Sequence, residues 1–316
     1  MMNYYYYSIL NLVSLVLILL IVLIGVAFLT LLERKILGYI QMRKGPNKVG
    51  FMGILQPFSD AIKLFSKELF IVYKSNYYLY YICPMVMFFL MMGNWFIMPV
   101  ITNIYYMNYS LLIIIIIMSL MGYLLLLMGW SSNSLYSLIG AMRVIAQTLS
   151  YEVSFIMIIL ILMILSESYS FFDFMKWQVY MWYMFSLVPL VIVFFISVLA
   201  ELNRTPMDFI EGESELVSGF NVEYFSGGFA LIFMAEYGMI IFFSYLLLFM
   251  FTGLMVGVMM FIMLNVTISV IIFFRGLLPR MRYDELMYLC WKIMLPFILN
   301  YMIFIISFKF LFTLML

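Results

Sequence analysis

The acidic residues are the first candidates for chemistry. Glu201, Asp208, Glu211, Glu213, Glu215 and Glu223 fall within one short stretch and share it with a single base, Arg204. Carboxylates crowded in this way cannot all ionise cheaply, so some of them hold their protons to higher pH than an isolated carboxyl does. That suits proton exchange or a charge-sensitive switch. A solvated acidic loop would have the same composition, but the interleaved Phe209, Ile210, Leu216, Val217 and Phe220 favour packing within protein. Two further acids, Glu152 and Glu236, lie inside long apolar runs. An acid at that depth costs about 2.5–3.5 kcal/mol on insertion scales, so each is expected to face a protein interior, protonated or paired. Arg143, at the start of the run that holds Glu152, is a candidate partner. A relay role and a hydrogen-bonded structural role are both open for these two acids.

A second charged stretch runs from Glu33 to Lys74 and is mainly basic. It opens with Glu33-Arg34-Lys35, and Arg43-Lys44-Gly45-Pro46-Asn47 reads as a turn from its Gly, Pro and Asn. From Gln56 to Val72 the spacing is helical, with Phe58, Ile62, Phe65 and Leu69 on one face and Asp60, Lys63 and Lys67 on the other. The segment is too polar to cross a bilayer and is expected to lie in the membrane interface. Periodicity alone fits a plain membrane-surface helix equally well.

Several chemistries are excluded. The chain has no histidine, which removes bis-imidazole haem ligation and most copper and zinc sites. Its two cysteines, Cys83 and Cys290, are too few for an iron–sulfur cluster and too far apart in sequence to suggest a disulfide. No G-x-G-x-x-G or G-x-x-x-x-G-K-[ST] occurs. The expectation is that the chain binds no metal and no redox cofactor itself, and serves any electron transfer by shaping a site. A net charge of +1 argues against nucleic acid as a partner.

The elements that must position these residues cross a membrane. Of the 316 residues, 67% are hydrophobic and 10% charged, against roughly a quarter charged in soluble domains. Eight runs are long enough to span: about 9–32, 77–100, 109–130, 142–166, 179–200, 229–250, 253–274 and 293–315. Between the last three, Gly253 and Gly257 form a G-x-x-x-G, readable either as a helix-packing face or as a turn. With eight spans, 14 of the 16 basic residues fall on one side if helix ends are counted, which sets that side as cytoplasm or matrix. Lys176 and Lys309 are the exceptions, and Lys309 lies near enough to the C-terminus to snorkel. Glu167, Asp173 and Lys176 read as a solvated loop on the opposite side. The first residues carry neither the basic start of a signal peptide nor an Arg-rich transit sequence. Abundant Met, Phe and Tyr with only seven Ala suggest a mitochondrially encoded chain, with an AT-rich bacterial gene as the other reading. The fold class that follows is all-α, a polytopic bundle of about eight transmembrane helices plus an interfacial amphipathic helix. It forms one integral membrane domain over 1–316, with a basic loop at 33–74 and an acidic loop at 201–228.

At these residues a family resemblance appears. Leu31–Tyr39, Arg43–Asn47 and Gly53–Glu68 resemble the first signature of the subunit 1 family of proton-pumping NADH:ubiquinone oxidoreductase. Ala200–Pro206 and Glu211–Asn221 resemble its second, and Arg282-Tyr283-Asp284 also fits. The resemblance covers essentially the whole chain. Met207 stands where that family usually has Phe, Ile210 where a smaller residue is usual, and Leu202 where small or polar residues are common; local repacking is the expected consequence. The resemblance implies a subunit at the junction of a membrane arm and a hydrophilic arm, with no direct catalytic residue. It implies a quinone tunnel near Glu33, Arg34, Asp60, Lys63, Phe220 and Phe225. It also implies a proton-coupling set of Arg143, Glu152, Glu201, Arg204, Asp208, Glu211, Glu213, Glu215, Glu223 and Glu236. The implied substrate is ubiquinone, and FMN and iron–sulfur clusters would sit in partner subunits. The implied partners are the hydrophilic-arm iron–sulfur and quinone-site subunits, neighbouring membrane-arm subunits and the lipid bilayer of the mitochondrial inner membrane. The residues alone leave two other readings open: a stand-alone ion or proton antiporter, and the homologous subunit of a membrane-bound hydrogenase. The large basic segment argues against the first, and the composition against the second.

Overall fold

The computed structural model describes residues 2–70, 72–98, 107–179, 181–209, 219–254 and 257–315. Glu211, Glu213, Glu215 and Ile210 lie outside that set. The described residues form helices and turns without a strand. The helices in chain order are α1 (Met2–Ile40), α2 (Gln56–Ser66), α3 (Tyr77–Ile97), α4 (Ser110–Ser131), α5 (Leu135–Ser166) and α6 (Phe171–Trp177). They continue with α7 (Tyr183–Ser186), α8 (Val188–Glu201), α9 (Ser226–Phe251) and α10 (Val258–Leu277), and end with α11 (Tyr283–Met315). Seven of them are long and apolar enough to cross a membrane: α1, α3, α4, α5, α9, α10 and α11. The remaining expected span, 179–200, contains the shorter apolar helix α8. The expected all-α polytopic bundle is what the chain forms.

The differences from the sequence reading have local causes. The fifth expected span, 179–200, is broken. Pro189 lies in the first turn of α8 and has no N–H to give Phe185 O, so the helix cannot run through from α7, and α7 and α8 are separated at Leu187, whose φ and ψ are −121° and 36°. The expected interfacial helix stops at Ser66, because Lys67 turns extended and frees Phe70 to pack edge-on against Phe225. Gly253 and Gly257 lie in the link between α9 and α10, where Gly257 is the extended residue ahead of α10. The turn reading therefore holds there and the packing face does not. Gly253 is still required small, since a Cβ would meet Gln178 O at 2.6 Å. In α11 the ring and missing N–H of Pro296 follow a π turn over Leu289–Met294, which widens the helix where a regular α turn would clash.

α9 is the hub. It packs against α1, α3, α10 and α2, and its C-terminal half is buried almost continuously from Tyr237 to Phe251. In lipid, helix association comes from close packing rather than from a hydrophobic drive, and small residues allow it here. Gly238 of α9 lies against Met91 of α3, and Gly129 of α4 against Ala141 of α5, where an added Cβ would come within 2.4 Å of the alanine Cβ. Gly140 of α5 admits the backbone of Gly219 and Phe220, which seats the end of the acidic segment on the bundle. On the opposite side, Asp173 pairs with Lys176 at 2.9 Å, and Lys309 of α11 with Glu167 at 2.6 Å. Hydrogen bonds from Ser170 and then Lys176 hold the Asp173 carboxyl below its usual range. These charges tie loop and helix ends together, as a solvated surface would.

Because Gly129 has backbone and side-chain atoms of α5 directly against it, Gly129→Val is expected to destabilise the bundle by about 1–3 kcal/mol through overpacking. Thermal unfolding of the assembled protein measures it, and Gly93→Ala, which meets no atom within 4 Å, is the neutral comparison.

Candidate functional site

The site is built where the ends of α1, α8 and α10 meet the N-terminal half of α9. Glu33 projects from the last turns of α1 and is only 4% exposed. Its carboxylate accepts a hydrogen bond from Arg275 in the last turn of α10. Arg204, two residues beyond the capping residue of α8, is also buried. It lies 3.9 Å from Glu33 and 4.0 Å from Glu236 of α9, with its guanidinium 4.7 Å above the Tyr237 ring. Tyr237 is in turn hydrogen-bonded to Glu33. Two arginines and two glutamates, joined through one tyrosine, satisfy the rule that buried charge must be paired. The backbone near Arg204 is fixed from both sides. Thr205 Oγ1 donates to Arg275 O at 3.2 Å, and the buried Gln147 of α5 donates to Ala200 O at 2.8 Å and to Met207 O at 2.9 Å.

Two cavities share this cluster as a wall. The larger, about 240 Å³, lies between α1, α2 and α9. Val26, Ala27, Ala61, Phe229, Ala230 and Phe233 give it an apolar lining, and Arg34, Asp60 and Tyr237 supply polar atoms. Arg34 and Asp60 pair at 2.7 Å, and Gln56 Nε2 donates to the other Asp60 oxygen at 2.9 Å. The smaller cavity, about 50 Å³, is deeper and contains Glu201, Arg204, Glu236, Thr148 and Phe220 in its lining. Glu201 Oε2 is buried without a hydrogen-bond partner, and the charged group acting on Glu201 is Glu152 of α5. A third space of about 150 Å³ lies beside α2, with Phe65, Phe70, Tyr80, Tyr224 and Phe225 in its wall.

Each sequence candidate within the described residues has a definite place; Glu211, Glu213 and Glu215 lie outside them. Glu33, Arg204 and Glu236 come together in the cluster, Glu201 and Phe220 adjoin it through the smaller cavity, and Glu152 acts electrostatically on Glu201. Arg34 and Asp60 line the larger cavity, and Phe225 lines the third. Lys63 is exposed on α2 and outside the cavity lining. Arg143 is not the partner of Glu152. Nine residues apart on one helix, they sit two and a half turns and about 13 Å from each other, on opposite faces. Arg143 instead lines an open basin with Asp208, Arg280 and Arg282, where Asp208 pairs with Arg280 at 3.1 Å. Glu223 is half-buried, and its backbone carbonyl accepts the Tyr80 hydroxyl. Tyr80 stacks flat on Tyr224 with ring centroids 4.5 Å apart, and the Tyr224 hydroxyl lies 3.3 Å from Ser131 Oγ. Burial pushes the Tyr224 phenol far above its usual range, so it serves as a fixed donor. Met207 is buried with Tyr151, Phe209, Leu286 and Cys290.

Sequence reasoning missed Arg275 and Tyr237 as site residues. Arg275 reads as one of many basic helix ends, and Tyr237 is one of 25 tyrosines. The one available signal was the adjacency of Tyr237 to the intramembrane Glu236.

The description of the NADH dehydrogenase family matches residues 13–306. The chain is 52% identical to NADH-ubiquinone oxidoreductase chain 1 of Aedes aegypti, over 95% of this chain and 96% of that one. The same-named chain of Anopheles quadrimaculatus is 53% identical over 96% of each. That of Lampetra fluviatilis is 45% identical over 90% of this chain and 91% of its own. A match along nearly the full length of both partners, at these identities, places this multi-pass membrane chain in the NADH dehydrogenase family, among the chain 1 subunits of NADH-ubiquinone oxidoreductase.

Proposed function

We propose that the chain forms the quinone passage of its oxidoreductase complex in the mitochondrial inner membrane and passes the consequence of quinone reduction to a proton relay. The observation that carries this is the shared wall. Tyr237 faces the larger apolar cavity, and the adjacent Glu236 faces the smaller polar one. A change of charge or hydrogen bonding at the first therefore reaches the second through one helix turn and one arginine.

The larger cavity suits an amphipathic ligand. Phe229, Phe233 and Ala27 take an isoprenoid tail, while the Arg34–Asp60 pair and Tyr237 present hydrogen-bonding groups to a headgroup. The relatives' name specifies ubiquinone. Electrons come from a partner subunit, consistent with a chain that has no histidine and only two separated, buried cysteines. FMN and the iron–sulfur clusters then belong to the hydrophilic-arm subunits. Reduction of the quinone demands protons or leaves negative charge beside Glu33, Arg204 and Glu236, whose mutual spacing is set by Coulomb forces in a low-dielectric site. Glu201 and Glu152 come next. Two carboxylates sharing such a site cannot both ionise cheaply, so the pair exchanges protons instead of holding two charges. The Asp208–Arg280 pair extends the charged path toward the hydrophilic side. Neighbouring membrane-arm subunits would receive it.

Two outcomes test the reading. Glu201→Gln keeps size and polarity but removes the exchangeable proton, so it should lower coupled quinone reduction at least tenfold while complex assembly, read on native gels, stays near normal. Full turnover and full pumping in the assembled variant would sink the relay. Ala230→Leu narrows the larger cavity and should raise KM for a long-tailed quinone about tenfold, with a smaller effect on a short-tailed analogue. Equal effects on both substrates would place the tail elsewhere.

A further inference from the structure

The last helix carries a partner seam on a face that this chain leaves uncovered. α11 packs on α5 through a single stripe, Leu286, Cys290, Met294, Ile298 and Ile305, all buried. Cys290 Sγ lies 3.1 Å from Ser150 O, and Tyr151 donates to Leu286 O, which fixes the rotation of α11 about its axis. Asn300 follows Ile298 by two residues, about 200° round the helix, and so points away from α5. It is exposed and makes no hydrogen bond among the described residues. It also lies at the middle of the helix, about 25 Å from Tyr283 and about 22 Å from Met315 along the axis.

Hydrocarbon gives an amide carbonyl and NH₂ no partner, and snorkelling to the interface is beyond the reach of so short a side chain. Asn265 of α10 makes a useful contrast. It too is exposed within a span, but its NH₂ donates to Phe261 O of its own helix at 2.9 Å. The neighbours of Asn300 are equally telling. Phe297 and Asn300, Phe304 and Ser307, and Leu311 and Leu314 repeat at alternating spacings of three and four on the same exposed face. That is the seven-residue spacing of a left-handed helix-packing seam, in which Ser307 Oγ donates to Phe304 O of its own helix and Asn300 is the polar residue left to set the register. A lipid-facing surface needs neither the spacing nor the amide.

We infer that the Phe297–Leu314 face of α11 docks a transmembrane helix of another subunit of the same assembly, which supplies a serine, threonine, asparagine or glutamine opposite Asn300. The inference rests on the chain's membership of a multi-subunit oxidoreductase, and on neither the quinone passage nor the relay. It can therefore fail while the Glu201→Gln and Ala230→Leu outcomes stand, and the converse.

The test uses the intact complex in its membrane, with photo-leucine incorporated in place of leucine. Irradiation should join the peptide containing Leu311 and Leu314 to a membrane-spanning peptide of another subunit. Adducts to lipid alone, or to a second copy of this chain, would overturn the assignment. In the variant Asn300→Leu, the cross-linked subunit should be lost from the detergent-purified complex about threefold more readily, and Asn300→Ser should restore most of its retention. Retention of that subunit unchanged in Asn300→Leu would equally overturn it, because an apolar side chain satisfies lipid but not a polar partner.

Discussion

The structure depends on how a buried guanidinium is kept in place. Arg204 sits just past the end of α8, away from water, and a charge there is tolerable only with acids at hand. Those acids come from different helices, Glu33 from α1 and Glu236 from α9, and a second arginine, Arg275 of α10, balances the pair. Four elements are thereby brought to one point by electrostatics, in a solvent where apolar packing alone gives little preference between arrangements. The apolar contacts then follow: α9 becomes the hub, and α1, α3 and α10 close around it.

The same constraint creates the two cavities. Arg275 is in direct contact with Glu33, whereas Arg204 stands 3.9 Å from Glu33 and 4.0 Å from Glu236, and Tyr237 fills one side of the group as a cation–π partner. What remains on the α1–α2 side is wide and apolar. What remains on the α5–α8 side is narrow and lined by Glu201, Glu236 and Thr148. A ligand with a polar head and an apolar tail fits the first, and protons fit the second. Because the two spaces border consecutive residues of one helix, Tyr237 and Glu236, and Arg204 touches both of these, no large motion is needed for one to sense the other.

Much of this was legible in the sequence, and the reasons are physical. Glu152 and Glu236 stand out because lipid penalises an acid, so their presence alone marks an interior. Asp60 lies on a periodic segment whose polar face can be read directly, but its pairing with Arg34 at 2.7 Å is seen only in the fold. Pairings between distant elements were not legible. Arg143 and Glu152 share a helix and look like neighbours, but the 3.6-residue period places them on opposite faces. Arg275 and Glu33 are 242 residues apart and share no periodic signal. The break at Leu187 was missed because hydropathy is blind to the backbone donor that Pro189 lacks.

Charge balance explains why the acids divide into two kinds. Glu33 and Glu236 have arginines within ion-pair distance, so their charge is compensated by fixed groups and their role is to hold geometry. Glu201 has no ion pair among the described residues, and the charged group acting on it is another acid, Glu152. Its compensation has to come from something that arrives and leaves, and a proton is the smallest such thing able to enter a space of about 50 Å³. The fixed cluster and the exchangeable pair lie on the two sides of that space. An event at the arginines alters the field in which the pair divides its protons, which is the least machinery by which a redox event at one wall can move a proton at the other.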